Sequence, residues 1–338
     1  MRVFLTGGTG MIGRRLVRRL RDRGDLPVLL SRKADEARRN PALRGIAVLQ
    51  GDPARPGPWQ DAVDGSDAVV NLAGHNVFAG RWNAEVKRQI RDSRVHGAEN
   101  VVEAITKARQ KPGVLVQASA IGFYGATGDE ELTESSPSGA DFLAVVCREL
   151  EDATRPAESA GVRLATIRTG VVLGRGEGAL GAMVPIFQWL PGGAAPLGNG
   201  GHPFRPARGM QWISWIHIDD IVGLFLLALD HPEARGPING TAPTPARNVE
   251  FSRLLARALH RPFLPIGPPD LALRLALGEV SQVVTTGQRV LPARALQLGY
   301  AFEHPDLAEA LRSALKPPKD AVSVAVAVAV AVAAAPGH

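Results

Sequence analysis

The stretch that decides the fold is Arg2-Val-Phe-Leu-Thr-Gly-Gly-Thr-Gly-Met-Ile-Gly-Arg-Arg-Leu16, at the start of the sequence. Residues 2–6 form a short run with apolar β-branched and aromatic residues at its centre, which predicts a buried strand of a parallel sheet. Glycine then recurs at every third position, and apolar residues follow at helical spacing. Strand, glycine turn and helix N-terminus in this order predict a site for the pyrophosphate of a dinucleotide, because unpaired N–H groups and the helix dipole attract an anion.

Each glycine has a predicted role in this turn. Gly7 allows the tight turn, Gly10 lets the backbone approach the phosphates, and Gly13 lets the helix pack on the strand. Because glycine-rich turns between strands and helices are common, a purely structural turn is the alternative interpretation. The residues of the turn expected to contact the cofactor are Gly7, Thr9, Gly10, Met11, Ile12 and Gly13.

The second strand, predicted at residues 27–31, indicates which dinucleotide is bound. It ends at Ser31 and Arg32, where an NAD site would have an acid for the ribose 2′-hydroxyl. A hydroxyl and a guanidinium suit a 2′-phosphate, so the sequence favours NADP(H) over NAD(H). Asp52, after a third strand at 46–50, is predicted to reach the adenine amine, and a simple turn aspartate is the alternative.

The composition is that of an ordinary soluble protein. The chain has 338 residues, of which 45% are hydrophobic and 21% charged, and it is long enough for two lobes. Its single cysteine, Cys147, excludes an intramolecular disulfide, fits a reducing compartment, and is expected to pack as a small hydrophobic residue. The apolar run before Gly7 is too short for a signal peptide, and no stretch reaches the ~20 apolar residues of a membrane helix. We therefore expect a cytoplasmic protein with no membrane partner.

The net charge of +6 does not by itself indicate nucleic-acid binding. Arginines of the first helix flank its apolar stripe, which is typical of a solvated helix face. No helix-turn-helix, zinc-finger or RNP-like pattern accompanies them, and the 8 histidines lack metal-ligand spacing. We therefore predict neither a nucleic acid nor a metal as partner. The arginines are Arg14, Arg15, Arg18, Arg19, Arg21 and Arg23.

Strands alternate with helices over the first half of the chain, which predicts an α/β fold with a Rossmann-like, doubly wound parallel sheet. Small residues end the fourth strand, where we expect Leu72, Ala73 and Gly74 to contact the cofactor. The further predicted strands are 68–74, 114–120 and 164–173, and the predicted helices are 83–109 and 142–160.

A smaller C-terminal α/β lobe is predicted to bind the substrate, because the composition shifts to glycine and proline after the sixth strand. A strand that begins at Trp212 leads into a helix at 221–229 with Asp219 as its N-cap, and Asn248 is predicted to cap a later helix. Residues 316–338, which end in alternating Ala-Val, are expected to be disordered.

Short motifs in both halves of the chain support a family resemblance. The motifs are Thr6-Gly-Gly-Thr-Gly-Met-Ile-Gly13, Asn71-Leu-Ala-Gly74, Tyr124-Gly125, Ile167-Arg-Thr-Gly-Val-Val-Leu-Gly174, Trp215-Ile-His-Ile-Asp-Asp220, Arg81-Trp82, Ser93-Arg94, Phe142-Leu143, Asn239-Gly-Thr-Ala-Pro243 and Gly287-Gln-Arg-Val-Leu-Pro292. Over residues 1–315 the chain resembles the extended short-chain dehydrogenase/reductases, and more narrowly the atypical NAD-dependent epimerase/dehydratase-like "epimerase family proteins" with a C-terminal domain of unknown function. The resemblance implies a Rossmann fold that binds NADP(H). We predict a cofactor domain at 1–173 plus 212–240 and a substrate lobe at 174–211 plus 241–315.

The resemblance also implies a Tyr-x-x-x-Lys pair for proton transfer, which this chain lacks. The places of the tyrosine and the lysine hold Phe142 and Val146, and the place of the usual Ser or Thr holds Ala120. Ser119 and Tyr124 are the candidates that are left: Ser119 would polarise a carbonyl and Tyr124 would donate a proton. Purely structural roles are the alternative for both residues.

Other functional residues follow from the resemblance and from the local pattern. Arg94 stands where related enzymes have an asparagine, and it is predicted to hold a cofactor phosphate or to pair with Asp92. Substrate contacts are predicted for Arg81, Trp82, Trp215 and His217, with an Arg–Trp stack and a loop-orienting histidine as alternatives.

A sugar-nucleotide substrate is disfavoured by two apolar residues. Ile213 and Val171 stand where epimerases of the family carry groups that bind the ligand. An alkyl side chain cannot replace a bidentate phosphate contact, and Arg205 and Arg208 in a neighbouring loop are candidates to compensate. The sequence thus predicts an NADP(H)-dependent oxidoreductase acting on a small molecule, with a catalytically silent NADP(H) sensor and a sugar-nucleotide epimerase or dehydratase as alternatives.

Overall fold

Strands and helices alternate through most of the computed structural model, which describes residues 1–189, 208–265, 267 and 269–316. The strands are β1 (Arg2–Thr6), β2 (Leu26–Ser31), β3 (Ala47–Gln50), β4 (Ala68–Asn71), β5 (Val114–Ala120), β6 (Glu131–Leu132), β7 (Arg163–Thr169), β8 (Val171–Gly174), β9 (Trp212–Ile213), β10 (Trp215–His217), β11 (Gly236–Gly240), β12 (Ala246–Arg247) and β13 (Arg289–Val290). The helices are α1 (Met11–Asp22), α2 (Ala34–Arg39), α3 (Ala84–Lys107), α4 (Phe142–Thr154), α5 (Pro156–Ser159), α6 (Gly178–Trp189), α7 (Ile218–Asp230), α8 (Asn248–Ala258), α9 (Asp270–Leu277), α10 (Gln282–Thr285), α11 (Ala293–Gln297) and α12 (Leu307–Leu315).

Seven parallel strands form the central sheet in the order β11-β7-β5-β4-β1-β2-β3. The strand order reverses between β1 and β4, because the chain leaves β1 towards one edge and returns to its other side. A crevice opens at such a reversal beyond the carboxyl ends of the strands, and ligands of doubly wound sheets bind there. The structure confirms the predicted α/β fold with a Rossmann-like sheet.

Alternate residues of the central strands pack on opposite faces of the sheet. Val3 and Leu5 of β1 share one buried cluster with α1 and α7 residues, such as Leu16 and Phe225. Phe4 lies in the cluster on the other face, which includes residues of α3. The apolar run predicted for β1 is therefore covered on both sides, as a central parallel strand requires.

The C-terminal lobe is built from short strand pairs and helices rather than from one sheet. β10 pairs with β8 and β9 pairs with β12, while β13 pairs with β6. The core of the lobe includes buried Phe187, Trp215, Phe251 and Leu311, which come from α6, β10, α8 and α12.

Several arginines of α1 and of its C-cap pair with carboxylates of neighbouring elements. Arg14 pairs with Glu177, and the Arg15 Nη2 lies 2.6 Å from the Asp219 Oδ1 at the start of α7. Arg23 pairs with Asp230 at the other end of the same helix, with 2.6 Å between Nη1 and Oδ2. This side of α1 is therefore a helix–helix contact with ion pairs as well as a solvated face.

The structure corrects several predicted boundaries. The strand predicted at 164–173 is divided at Gly170 into β7 and β8, because a Cβ at Gly170 would lie 2.4 Å from the Ser214 carbonyl oxygen and the chain turns into another strand pair there. The helix predicted at 142–160 is interrupted before Pro156, whose ring cannot continue the helical hydrogen bonds of α4. The strand predicted at 68–74 ends at Asn71, and residues 72–74 form a loop.

The caps of two later helices also differ from the prediction. His217, not Asp219, is the N-cap of α7, because the His217 side chain accepts a hydrogen bond from the backbone N–H of Asp219. Asn248 is the first residue of α8 and not its cap. In both cases a polar residue that favours helix N-termini lies within the first turn, where the sequence pattern alone does not fix the register.

Two predicted features lie outside the described residues: most of the Gly/Pro/Arg-rich loop, including Arg205, and the Ala/Val-rich tail from residue 317 onward. In the part of the chain that the structure describes, no helix combines the length and hydropathy needed to cross a membrane.

Candidate functional site

The turn between β1 and α1 lies at the point where the strand order reverses. Gly7 has a φ of +67°, and a Cβ there would lie 2.6 Å from the Leu72 carbonyl carbon, so only glycine fits beside the loop after β4. A Cβ at Gly13 would lie 2.4 Å from the Gly7 carbonyl oxygen. The backbone of the β1–α1 loop therefore packs directly against the backbone of the first helical turn of α1.

The N-terminus of α1 is open to an anion. Gly10 is the N-cap and has no side chain to accept a hydrogen bond, and the first turn contains no acidic residue. Thr9 and Gly10 are exposed, and Met11 and Ile12 are half-buried. The free N–H groups of this helix end and its dipole can both act on a phosphate.

Buried polar side chains hold the loop after β4 against β1. The Thr6 hydroxyl donates to the Asn71 Oδ1 and accepts a hydrogen bond of 3.2 Å from the Ala73 N–H. The Asn71 Nδ2 donates to the Gln117 Oε1 of β5 at 2.8 Å. Leu72 and Ala73 are half-buried, and Gly74 is exposed at the crevice. Three neighbouring strand ends are thus fixed relative to one another at the predicted cofactor position.

A cavity of about 470 Å³ lies at the ends of β2 and β3. Arg32 and Asp52 line it, as the sequence predicts for the adenosine end of a dinucleotide site. Ser31 is buried, and its hydroxyl accepts from the Lys33 N–H; the Asp52 Oδ1 accepts from the Ala54 N–H, as in the simple aspartate turn. Arg32 is the exposed cation of the pair Ser31–Arg32.

Sequence reasoning missed several residues of this cavity. They come from the segment after β3, from the loop after β4 and from one face of α3, where the motif Ser93-Arg94 of the resemblance pointed to Arg94 alone. The spacing of the helical residues at 88, 89, 92, 93 and 96 is that of one helix face, which is the signal that could have found them. The missed residues are Arg55, His75, Arg88, Gln89, Asp92, Ser93 and His96.

Arg94 lies on a different face of α3 from the cavity. Its Nη1 donates to the carbonyl oxygens of His75 and Ile90, both at 3.0 Å, and its guanidinium lies against Gly74. Burial lowers the pKa of Arg94. Asp92, the alternative partner named from the sequence, instead pairs with Arg91 at 3.2 Å. Within the described ranges, no carboxylate lies within ion-pair distance of Arg94.

Ser119 is tied to a buried ion pair. Its hydroxyl donates to the Glu151 Oε1 at 2.8 Å, and Arg168 donates to both oxygens of Glu151, at 3.0 and 2.8 Å. Alternation along β5 puts Ser119 on the face opposite Ala120. The Ser119 hydroxyl therefore already donates its proton to the Glu151 carboxylate. To polarise a substrate carbonyl, as predicted, it would have to give up this hydrogen bond.

Tyr124 is held in the interior by two hydrogen bonds. Its hydroxyl donates to the Asn239 Oδ1 at 2.7 Å and accepts from the Arg168 Nη1 at 3.0 Å. The residue is 1% exposed, and burial raises the pKa of its phenol, an effect that Arg168 opposes. These contacts fit the structural alternative for Tyr124 better than proton donation to a ligand.

The N-terminal end of α4 is apolar where the resemblance implies acid–base residues. Phe142 packs edge-on against Trp82, with ring centroids 5.2 Å apart, and Val146 is buried. The Lys87 Nζ lies 5.3 Å from the Phe142 ring centroid and pairs with Glu279 at 2.6 Å. Trp82 is 8% exposed and packs in a cluster with residues of the C-terminal lobe, and its substrate contact stays a prediction.

Arg81 contacts the end of α9 instead of an open cleft. Its guanidinium donates to the carbonyl oxygens of Leu275 and Ala276, the latter at 3.3 Å. These carbonyls are the unpaired acceptors of the last turn of α9, and a cation there also interacts favourably with the helix dipole. The loop after β4 is thereby attached to the C-terminal lobe.

Trp215 and His217 do not line an open cleft. Trp215 is fully buried, and its Nε1 donates to the Thr244 carbonyl oxygen at 2.9 Å. His217 is 2% exposed, and burial and His304 lower its pKa to about 4. The structure thus places Trp215 in the core of the C-terminal lobe and His217 at the start of α7, and their substrate contacts stay predictions.

The structure also brings together three metal-ligating side chains that sequence spacing did not connect. Ligand atoms of His217, Asp219 and His304 lie within 4.8 Å of one another. The Asp219 carboxylate already accepts from the Arg15 Nε at 2.7 Å. A guanidinium at this position supplies the counter-charge of the carboxylate and disfavours a cation there.

Cys147 packs in α4 as predicted from its type. It is buried, and burial, followed by the Glu151 charge, raises the pKa of the thiol to about 11. A protonated, buried thiol is a poor nucleophile, which fits the packing role predicted for Cys147.

Comparisons with known proteins agree with this architecture. Residues 3–239 match the NAD dependent epimerase/dehydratase family, and residues 268–314 match a domain of unknown function, DUF1731. The chain is 44% identical over 322 residues to the chloroplastic "Epimerase family protein SDR39U1 homolog" of Arabidopsis thaliana, covering 94% of this chain and 87% of that protein. It is 35% identical over 313 residues to the "Epimerase family protein YfhF" of Bacillus subtilis, covering 92% and 97%.

A solved structure extends the likeness to three dimensions. The crystal structure of the human epimerase family protein SDR39U1 (isoform 2) with NADPH is 34% identical and has a TM-score of 0.78, covering 93% of this chain and 98% of that chain. The resemblance drawn from short motifs is thus confirmed over nearly the whole described chain. The chain belongs to the NAD dependent epimerase/dehydratase family.

Proposed function

We propose that the chain is an NADP(H)-dependent oxidoreductase of the atypical short-chain dehydrogenase/reductase type, acting on a small molecule. The observation that supports it best is that the open N-terminus of α1 and the basic cavity at Arg32 lie at the same edge of the sheet. The helix end suits the pyrophosphate, while Arg32 and Arg55, which line one cavity, suit a 2′-phosphate. The NADPH held by the human relative supports the same assignment.

Different segments of the chain would bind different parts of NADP(H). Residues 7–13 would hold the pyrophosphate through backbone N–H groups, and residues 72–74 would line the other wall of the crevice. Arg32, which lines the cavity, and the neighbouring Ser31 would select the phosphorylated ribose, with Asp52 at the adenine side. When bound, the cofactor supplies hydride transfer. The substrate is expected in the region between the loop after β4 and α4.

A catalytically silent NADP(H) sensor is the second candidate, and a specific observation favours it. Ala120, Phe142 and Val146 are all apolar, and the hydroxyl groups of Ser119 and Tyr124 are both engaged in buried hydrogen bonds. None of these five residues offers a free donor for the proton that accompanies hydride transfer to a carbonyl. A sugar-nucleotide activity is not supported, because Ile213 and Val171 are alkyl residues of strands β9 and β8.

Turnover measurements distinguish the two candidates. Purified protein is first titrated with NADPH by calorimetry and then incubated with a broad panel of carbonyl compounds while NADPH absorbance is followed. Stoichiometric oxidation of NADPH by one class of compound supports the oxidoreductase. Tight binding without turnover across the panel supports the sensor, and no heat of NADPH binding would contradict both.

A further inference from the structure

Lys87 is a half-buried cation at the start of α3 whose ammonium has N–H groups to spare. Its Nζ pairs with the Glu279 Oε2 at 2.6 Å. The same Nζ lies 5.3 Å from the ring centroid of Phe142 and 5.9 Å from the ring centroid of Trp82. Among the described residues it makes no other ion pair or hydrogen bond, although a lysine ammonium carries three N–H donors. The donors that Glu279 does not use are therefore available to a ligand.

The fold places Lys87 at the end of the crevice that lies opposite the adenosine-end cavity. That cavity lies at the ends of β2 and β3 on one side of β1, whereas β4 and β5 are neighbours on the other side. A dinucleotide that spans the reversal of strand order therefore has its nicotinamide half at the ends of β4 and β5. The helices that follow these two strands are α3 and α4, and Lys87 and Phe142 belong to their first turns. The contact between the two side chains brings both helix starts together at this end.

Apolar side chains lie beside this ammonium and indicate the class of ligand that it suits. Trp82 and Phe142 pack in one cluster with Val280 of the C-terminal lobe. A charge beside such groups interacts more strongly with the dipole of a ligand than it does in bulk water. A ligand that fits both the cluster and the cation has an apolar body and an oxygen with partial negative charge. Apolar aldehydes and ketones have this combination.

We propose that Lys87 is a catalytic residue for an apolar carbonyl substrate: its ammonium binds the carbonyl oxygen and donates the proton that accompanies hydride transfer. The inference rests on the proposed NADP(H)-dependent oxidoreductase function. The carbonyl carbon accepts the hydride, so a C–H bond forms and the π pair of the C=O bond moves to the oxygen. An N–H bond of Lys87 breaks as the new O–H bond forms. The products are the alcohol, NADP⁺ and a neutral amine, and the amine regains a proton from water because the Lys87 side chain is 29% exposed.

Calorimetric titration of the NADP⁺-loaded protein tests the binding part of the proposal without turnover. The probes are benzoate, cinnamate and octanoate, whose carboxylate oxygens take the place of a carbonyl oxygen on an apolar body and are not reduced. We expect the wild type to bind at least one probe, and Lys87→Met to bind it about tenfold or more weakly, the scale of a lost charge-assisted hydrogen bond. NADP⁺ affinity should stay unchanged in Lys87→Met, which also shows that the variant is folded. The matched control is Lys107→Met at the other end of α3, which removes a lysine that pairs with Glu103 and should bind the probes as the wild type does.

Turnover of the matching aldehydes tests the proton transfer. With benzaldehyde, cinnamaldehyde and octanal, NADPH oxidation by Lys87→Met should fall about 100-fold or more, the scale of a lost general acid. Lys87→Arg keeps the charge but is a poor proton donor, so it should retain part of the carboxylate affinity while losing turnover.

Three results would overturn the proposal. They are a wild-type holoprotein that binds none of the three carboxylates, carboxylate binding without turnover of any of the three aldehydes, and Lys87→Met that binds and turns over as the wild type does. Failure of the wild-type protein to bind NADP⁺ and NADPH would instead contradict the proposed function itself.

Discussion

The hydroxyl of Tyr124 donates a 2.7 Å hydrogen bond to the Oδ1 of Asn239, so the short helical turn that follows β5 is joined to β11, an edge strand of the sheet. Arg168 donates to the same hydroxyl, and the Asn239 Nδ2 donates to the Leu291 carbonyl oxygen of the C-terminal lobe. The tyrosine is therefore part of a buried network between the sheet and the lobe.

Tyr124→Phe is expected to lower stability without changing cofactor affinity. The change leaves the buried Asn239 and Arg168 groups each short of one partner, which costs about 1–3 kcal/mol. Urea denaturation measures the loss, and NADPH titration of the folded variant measures the affinity. A variant of unchanged stability that no longer turns over substrate would instead identify Tyr124 as a proton donor.

Arg32→Ala should reduce the preference for NADPH over NADH. Its guanidinium lines the cavity at the end of β2, and losing a charged hydrogen bond to the 2′-phosphate costs about 1.5–3 kcal/mol, or roughly 10- to 100-fold in affinity. NADH affinity should change little. The matched control is Lys33→Ala, which removes an adjacent charge whose side chain is 77% exposed and pairs with Glu36. Similar effects from both variants would indicate long-range charge rather than a direct contact.

Stability is expected to fall as the pH drops from about 6.5 to about 4, because of His217. Burial, then His304, lowers its pKa from 6.5 to about 4, with Asp219 opposing and Arg15 reinforcing the shift. The unfolded chain thus binds a proton in this window that the folded chain does not, so His217 contributes stability above pH 6.5 that is lost towards pH 4. The size is up to about 3 kcal/mol.

His217→Asn separates this effect from general acid denaturation. Asparagine is a good N-cap and can still accept from the Asp219 N–H, but it does not titrate. Urea denaturation at intervals from pH 4 to pH 7 should show a shallower pH slope for the variant than for the wild type. Identical slopes would show that His217 is not the titrating group.

Arg81→Ala is expected to loosen α9. The substitution removes the guanidinium that donates to the Leu275 and Ala276 carbonyl oxygens at the end of the helix. The side chains of Leu275 and Leu277 are exposed, so packing adds little to hold this end in place. Amide hydrogen exchange of residues 270–283 should become faster, while exchange in β1 and β4 stays unchanged. Because Arg81 attaches the loop after β4 to α9 and does not contact the adenosine half, the variant should keep its affinity for 2′,5′-ADP. A loss of 2′,5′-ADP affinity would place Arg81 in the cofactor site.

Much of the fold could be predicted from the sequence, because local patterns carry it. The run at 2–6 followed by Gly7, Gly10 and Gly13 predicts β1, the turn and α1, and the alternation of strands and helices predicts the parallel sheet. The sequence pattern places Gly170 inside a strand, since nothing local shows that the Ser214 carbonyl lies against it. Contacts between distant segments decide such breaks.

The cofactor end of the site was easier to predict than the chemistry. Arg32 and Asp52 lie in one cavity because they follow the carboxyl ends of β2 and β3, which are neighbours in the parallel sheet. Ser119, Tyr124, Trp215 and His217 have side-chain types that suit a catalytic site, but their partners lie 32, 115, 29 and 2 residues away in the chain. Only the folded chain shows that these polar atoms are already hydrogen-bonded.

The central claim is that residues of the β1–α1 turn and Arg32 together form an NADP(H) site. The most direct measurement is calorimetric titration of the wild-type protein with NADPH and, separately, with NADH. We predict one site per chain, with NADPH bound about tenfold or more tightly than NADH, as a charged contact to the 2′-phosphate requires. Absence of binding heat with both nucleotides, or equal affinity for the two, would contradict it.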